Sequence, residues 1–225
     1  MSVPVLTIDG PSSSGKGTIG RAVAHYLGWH LLDSGALYRL VALAGLKRGL
    51  GQADVEGHAR LAVSMDVRFG VEREAERVLL EGQDVTGEIR TEETGQGASR
   101  VAAWSEVRTA LLARQRAFAR PPGLVADGRD MGTVVFPEAA LKIFLTAAAA
   151  ERALRRYNQL KEKGPGASLS ALSREIAERD ARDSTRSVAP LVPAADAEVI
   201  DSTGLSIAEV VDRVIELGRR RTLWA

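Results

Sequence analysis

The sequence predicts an α/β fold, in which helices pack on the faces of a parallel sheet. Residues 3–8 form a short apolar run that Asp9-Gly10-Pro11 ends, which is typical of a buried strand followed by a loop. Helical spacing follows over residues 16–27, and a second short strand is predicted over residues 29–32. A further helix is predicted over residues 34–48. Strands and helices that alternate in this order indicate a parallel sheet.

The middle of the chain interrupts this alternation. Residues 65–69 and 78–81 have the composition of strands, and the stretch between them, residues 70–76, is polar and turn-prone. Two strands separated in this way predict a small antiparallel insertion over about residues 61–100.

The remaining elements return to the first pattern. Buried strands are predicted over residues 124–127 and 141–145, and a last strand over residues 198–201. Four further helices are expected, around residues 107–118 and over 151–163, 170–182 and 207–217. The turn Gly164-Pro165-Gly166 joins the second of these helices to the third.

Length and composition limit the class of protein. A chain of 225 residues with 45% hydrophobic and 26% charged residues suits one sizeable globular domain. The formal net charge of +1 gives no overall attraction to nucleic acid or anionic membranes, so anions must bind at local sites. The absence of cysteine excludes disulfides, thiolate metal sites and a cysteine nucleophile. No signal peptide or membrane-length apolar run is recognised, and we expect a cytoplasmic protein.

Residues 10–18, with the sequence GPSSSGKGT, are the strongest local indication of a binding site. Glycines allow a loop to curl so that backbone N–H groups point at phosphate oxygens, and the next helix presents its positive end to the same anion. Lys16 would reach the β- and γ-phosphates of a nucleotide, and Thr18 would ligate Mg²⁺. Such spacing arises by chance in well under roughly 1% of chains of this length. The predicted nucleotide-binding residues of this P-loop are Gly10, Pro11, Ser12, Ser13, Ser14, Gly15, Lys16, Gly17 and Thr18.

Two further clusters follow predicted strands, at the sheet edge where ligands bind in open α/β sheets. After the second strand, Arg39 could hold an acceptor phosphate beside Ser34, although alone these would be interpreted as a surface arginine and an N-cap. After residues 124–127, Arg129 and Asp130 form a donor–acceptor pair that can contact a phosphate and a base edge together. Asp127 can hold the water shell of Mg²⁺ or can cap the next helix.

Arginines are concentrated in the two charged helices. By themselves such helices are usually only solvated, but arginines that converge on a phosphate cradle fit phosphoryl transfer between two anions. The residues concerned are Arg152, Arg155 and Arg156 on the first helix, and Arg179, Arg182, Asp183 and Arg186, which helical spacing places on one face of the second.

Taken together, these motifs resemble the bacterial cytidylate kinases. The similar stretches are TIDGPSSSGKGT, LLDSGALYR, GEIRTEETGQGASRVAA, VRTALLARQRAF, VADGRDMGTVVFP and ERDARDSTRSVAPLVPAADA, which span nearly the whole chain in order. The resemblance implies a P-loop kinase fold with a five-stranded parallel sheet, an insertion that binds the nucleoside monophosphate (NMP), and a helical lid. It implies one domain, residues 1–225, with its core in 1–60, 101–151 and 187–225, the NMP-binding insertion in 61–100 and the lid in 152–186.

The resemblance also implies the reaction, which is transfer of the γ-phosphate of ATP to CMP or dCMP with Mg²⁺ as cofactor. The metal is expected at Thr18 and Asp127, bound directly or through water. The residues expected to be catalytic are Lys16, Arg129, Arg179, Arg152 and Arg155. Those expected to bind CMP are Ser34, Arg39, Ser99, Arg108, Arg129, Asp130, Arg179, Asp183 and Arg186. Two features depart from the family: Ser13 and Ser14 stand where glycine or alanine is common, and the turn of the lid contains proline and glycine. Neither departure removes a functional group.

Other acceptors remain open at this stage. A kinase for UMP, AMP or a small hydroxylated metabolite would use the same P-loop, and a catalytically silent P-loop module is the alternative outside enzymes. The combination of Asp130 with Arg108 and Arg186 favours a base that carries an amino group, such as cytosine. We expect a monomer whose partners are small nucleotides, and neither nucleic acid nor membrane.

Overall fold

A five-stranded sheet, parallel throughout, forms the centre of the computed structural model, which describes residues 3–72, 75–161 and 168–224. Its strand order is β2-β6-β1-β7-β8, with β1 at Val5–Asp9, β2 at His30–Asp33, β6 at Leu124–Gly128, β7 at Leu141–Thr146 and β8 at Glu198–Asp201. Every residue of β1 and β6 is buried, as expected for a parallel sheet covered on both faces. The parallel sheet predicted from the sequence is confirmed.

By internal contacts the chain divides into two compact units. The first unit comprises residues 1–33 and 116–225 and contains the parallel sheet. Its helices are α1 (Lys16–Leu27), α6 (Ala149–Lys161), α7 (Leu169–Thr185) and α8 (Ile207–Arg220). The second unit comprises residues 34–115. Its elements are α2 (Ser34–Lys47), α3 (Val55–Ser64), the antiparallel strands β3 (Val67–Glu72), β4 (Ala75–Leu80) and β5 (Gln83–Asp84), α4 (Glu92–Val101) and α5, which runs over Ser105–Arg116.

The core of the first unit lies between the sheet and the two helices α1 and α8. Apolar side chains of β1 and β7 contact Ile19 and Val23 of α1 and Val210 and Val214 of α8. Helix α8 begins at a capping box. The Ser206 hydroxyl accepts from the backbone N–H of Glu209, and the Glu209 carboxylate accepts from the backbone N–H of Ser206.

The second unit is built around α2. Nine of its residues are buried, so this helix is nearly apolar on all sides. It packs most extensively on α4, where small residues permit close approach: a Cβ added to Gly97 would lie 3.0 Å from Cβ of Ala42. The N-cap of helix α3 is Asp54, whose carboxylate accepts from the backbone N–H of Gly57 at 2.8 Å.

Several predicted boundaries need correction. The polar stretch 70–76 is not a long turn, since residues 70–72 belong to β3 and residues 75–76 to β4. Helices α3 and α4 were not predicted. The predicted Gly164-Pro165-Gly166 turn lies outside the described residues. Within the part of the chain that the structure describes, no helix is long and apolar enough to cross a membrane.

Candidate active site

The P-loop connects β1 to α1 and has the tight curvature expected from its glycines. Gly10 leaves β1 in close contact with β7, because a Cβ added there would lie 2.0 Å from the Leu145 carbonyl oxygen. Further along, Ser13 and Gly15 have φ angles of 59° and 95°, in the left-handed region. The N-cap position of α1 is Gly15, which offers no side-chain acceptor, so the helix N-terminus is suited to an external anion. The Nζ of Lys16, the first residue of α1, donates to the Pro11 carbonyl at 3.2 Å.

Two arginines of α6 hold the P-loop through its backbone. Nη1 of Arg152 donates to the Ser12 carbonyl at 3.1 Å, and Nη1 of Arg155 donates to the Ser14 carbonyl at 3.2 Å. The Arg155 guanidinium also binds Ser202, just beyond β8, through its hydroxyl at 3.0 Å and its carbonyl at 2.7 Å. These bonds fix two peptide groups of the loop against the carboxyl ends of the strands.

Asp127 lies on β6 directly beside the first turn of α1. A Cβ added to Gly17 would lie 3.1 Å from Oδ2 of Asp127, so any larger residue at position 17 would crowd the Asp127 carboxylate. Burial raises the pKa of Asp127, although the positive charge of Lys16 opposes the rise. Burial, together with repulsion from Arg129, lowers the pKa of Lys16, and the charge of Asp127 opposes that shift. Asp127 does not cap the turn that follows β6, which was the structural alternative.

The oxygens near the P-loop are compatible with a divalent cation. Among the described residues, the buried Oδ1 of Asp127 has no hydrogen-bond partner. A hard cation favours such a carboxylate oxygen, and Thr18 offers an exposed hydroxyl in the first turn of α1. No group of three or more His, Asp or Glu side chains in residues 3–72, 75–161 and 168–224 could hold a metal by itself. A Mg²⁺ ion here would therefore complete its coordination with water or with nucleotide oxygens.

Charge pairs join α7 to the segment that follows β6 and to α6. Nε of Arg129 lies 2.9 Å from Oδ2 of Asp183, and both side chains are mostly buried. Burial alone would raise the pKa of Asp183, but the guanidiniums of Arg129 and Arg179 outweigh it and hold that pKa below its ordinary value. A second pair joins Arg152 to Asp180 at 2.6 Å. The first unit therefore contains a network of arginines and carboxylates next to the P-loop.

The predicted common face of the second charged helix is only partly observed. Arg179 and Asp183, four residues apart, lie on the side of α7 that is buried or half-buried. Arg182 is exposed, because adjacent helical residues point about 100° apart. Arg186 is not in the helix but is its C-cap, and its Nε donates to the Ala189 carbonyl.

The other four predicted CMP-binding residues belong to the second unit. Ser34 is buried at the start of α2, and its hydroxyl accepts from Nε2 of Gln115 at 2.9 Å. Nη1 of Arg39 donates to the Ile89 carbonyl at 2.8 Å. Arg108 is also buried, donates to the Ala102 carbonyl at 3.0 Å, and lies 5.6 Å from the centre of the Tyr38 ring. Ser99 is buried on α4.

Sequence reasoning did not identify several residues that support the site. Asp9, at the end of β1, accepts from the backbone N–H groups of Met131 and Gly132. Burial raises the pKa of Asp9 to about 6, although the two backbone hydrogen bonds oppose the rise. Ser202 and Gln115 were also missed. A polar residue at the end of a strand or directly after it was the signal for Asp9 and Ser202, but only long-range contacts give them a role.

Comparison with known proteins identifies the family. The family model described as cytidylate kinase matches residues 6–220. The chain is 59% identical over 97% of its length to a cytidylate kinase of Bordetella bronchiseptica, of which 96% is covered. It is 60% identical over 93% of its length to a cytidylate kinase of Methylococcus capsulatus, of which 94% is covered. A solved structure of an uncharacterised protein from Eubacterium ventriosum shares only the fold, with a TM-score of 0.52 and 8% identity over 95% of this chain and 97% of that one. The match to the family model and to these relatives along almost the entire chain shows that this protein belongs to the cytidylate kinase family.

Proposed function

We propose that the protein transfers the γ-phosphate of ATP to CMP or dCMP, giving ADP and CDP or dCDP. The observation that carries this proposal is the end-to-end similarity, near 59% identity, to proteins named cytidylate kinase. The P-loop with its arginine network is chemically suited to moving a phosphoryl group between two anions. No observation favours UMP as the acceptor.

ATP would bind along residues 10–18, where the backbone N–H groups at the start of α1 would face its phosphates. Lys16 would neutralise charge on the β- and γ-phosphates. The lowered pKa of its ammonium group reflects burial that a bound phosphate would offset. The acceptor is an ionised phosphate oxygen, so no general base is required, and catalysis rests on positioning and charge.

The CMP-binding residues keep their predicted roles as proposals. Arg39, Arg129 and Arg179, with Ser34, would hold the acceptor phosphate. Asp183 and Arg179 would bind the sugar. The cytosine edge would be contacted by Ser99, Arg108, Asp130 and Arg186. The ion pair between Arg129 and Asp183, at 2.9 Å, supports this assignment because it orients both side chains before CMP binds.

Arg152 and Arg155 were predicted to act directly on the phosphates. Their contacts support a contribution through the P-loop, since both guanidiniums donate to loop carbonyls. We propose that they hold the loop in its phosphate-binding shape. A lid formed by residues 152–186 remains a proposal, and its closure would keep water from the transferred group.

Mg²⁺ is proposed to accompany ATP, held by Asp127 and by the Thr18 hydroxyl. The unpartnered Oδ1 of Asp127 supports this within the described residues. When bound with the nucleotide, the ion would supply positive charge to the phosphate oxygens. We also propose a monomer that acts on free nucleotides in the cytoplasm.

A steady-state assay with ATP, Mg²⁺ and a panel of CMP, dCMP, UMP and AMP tests the proposal. The N4 amino group of cytosine can donate to an ionised Asp130, whereas O4 of uracil would face it as a second acceptor. An unsatisfied buried acceptor costs about 1–3 kcal/mol, so kcat/KM for CMP should exceed that for UMP by about ten- to a hundredfold. Asp130→Ala should narrow this ratio. UMP as the better substrate of the unmodified protein would overturn the proposed acceptor.

A further inference from the structure

Asp9 makes two short hydrogen bonds to the chain segment that follows β6. Asp9 as a whole is only 5% exposed. Oδ1 accepts from the backbone N–H of Met131 at 2.8 Å, and Oδ2 accepts from that of Gly132 at 2.8 Å. The two donors follow directly after Arg129 and Asp130, the pair proposed to contact CMP. One carboxylate of β1 therefore holds the backbone next to the proposed base-reading residue.

The turn held by Asp9 receives no side-chain capping hydrogen bond from its own N-cap residue. Residues 131–135 form a single π-helical turn whose N-cap is Asp130, and Asp130 makes no side-chain capping bond. The first N–H groups of a helical turn have no acceptor within it. Asp9 supplies that acceptor from another strand. Hydrogen bonds to a carboxylate are roughly twice as strong as those between neutral groups.

The turn also has little space in which to move. A Cβ added to Gly132 would lie 2.9 Å from the Thr7 hydroxyl oxygen and 3.2 Å from Cδ of Lys142. Thr7 and Lys142 are paired residues of β1 and β7, so the turn rests directly on the middle of the sheet. Phe136 N donates to the Met131 carbonyl at 2.7 Å and closes the turn at its other end. Asp130 is thus attached to a segment with one well-defined position.

We infer that Asp9 is a positioning residue for base selection, which fixes Asp130 by holding the N–H groups of Met131 and Gly132. The inference rests on the proposed function, because it assigns Asp9 to the discrimination between cytosine and uracil. The competing possibility is that Asp9 serves the P-loop, since Gly10 follows it directly in the chain.

Asp9→Asn tests this, because it keeps the size of the side chain but places an amide NH₂ against a backbone N–H donor. We expect kcat/KM for CMP relative to UMP to fall by roughly tenfold, since displacements on the order of 1 Å cost up to about a hundredfold in rate. KM for ATP should change by less than about threefold. Asp54→Asn is the matched control, because Asp54 also accepts from a backbone N–H at a helix start and should leave the CMP/UMP ratio unchanged.

A double-mutant cycle separates positioning from a general loss of structure. In an Asp130→Ala background, Asp9→Asn should produce no further change in the CMP/UMP ratio, because its effect passes through Asp130. An unchanged ratio in Asp9→Asn, or a raised KM for ATP alone, would overturn the inference. If Asp9→Asn does not fold by circular dichroism, Asp9→Ser, which keeps one acceptor, is subjected to the same comparison. Failure of the proposed function is recognised separately, since the unmodified protein would then show no preference for CMP.

Discussion

Replacement of Gly10 by alanine is expected to disrupt the P-loop at its first residue. The added Cβ would lie 2.0 Å from the Leu145 carbonyl oxygen, and relief of that overlap requires a shift of more than about 1 Å. The carbonyl belongs to the backbone of β7 and cannot rotate away as a side chain would. Overpacking of this kind costs about 1–3 kcal/mol, and a loop displaced by about 1 Å loses on the order of a hundredfold in rate. We expect kcat/KM for ATP to fall by at least that factor.

Two other glycines provide matched controls. Gly28, the C-cap of α1, has a φ of 63° but no heavy atom within 4 Å of an added Cβ, so Gly28→Ala should cost about 1–2 kcal/mol through backbone strain alone. Gly51→Ala meets no atom either and should change stability by less than about 0.5 kcal/mol. Urea unfolding gives the free energies, and a coupled assay with saturating CMP gives kcat/KM for ATP. If Gly10→Ala had the same kcat/KM for ATP as Gly28→Ala, the close contact between Gly10 and the Leu145 carbonyl would not determine the shape of the P-loop.

Three further predictions concern the proposed site. Lys16→Ala should lower kcat by roughly 10³-fold or more, while KM for CMP changes little; a variant with near-normal kcat would exclude Lys16 from the chemistry. Hydrogen exchange over residues 152–186 should slow when ATP and CMP bind together, and equal exchange with and without both nucleotides would contradict a lid. Asp183 has a lowered pKa, so its ionised form stabilises the fold above about pH 4, and that stability is lost as the pH falls through the lowered value. In urea at pH 7, Asp183→Asn should therefore have a lower free energy of unfolding than the unmodified protein, and this difference in free energy should shrink below pH 4. A difference in free energy that did not depend on pH would contradict the ion pair with Arg129.

The P-loop and its strand were predictable because their signals are local. An apolar run, a glycine-rich turn and a lysine follow one another within residues 3–18. Helix α4 was not predictable in this way, because its buried residues include Thr94, Gly95, Gly97 and Ser99 rather than an apolar stripe. Small residues are buried there because α2 packs closely on them, which is a tertiary property.

The roles of the arginines show a second limit of the sequence. Arg152 and Arg155 were selected because phosphate recognition requires guanidinium groups. The same planar donors also bind backbone carbonyls, and in the structure both contact the P-loop backbone. For Asp9, in contrast to the arginines, no role was predicted, because nothing beside it in the sequence indicates that it holds Met131 and Gly132. Only the pairing of β1 with β6 brings these segments together.

The pairing of the P-loop strand has a consequence for folding during synthesis. Val5 in β1 pairs with Leu124 in β6, and Leu6 pairs with Leu141 in β7, so the strand that carries the nucleotide-binding loop has no neighbour in the sheet until a distant part of the chain has left the ribosome. Residues 34–115 find their main contacts among themselves. Because local contacts form faster than distant ones, the second unit should acquire structure first, while the apolar β1 remains exposed to chaperones. The strand that leads into the P-loop is thus synthesised well before the two strands that pair with it, and it is among the last to fold.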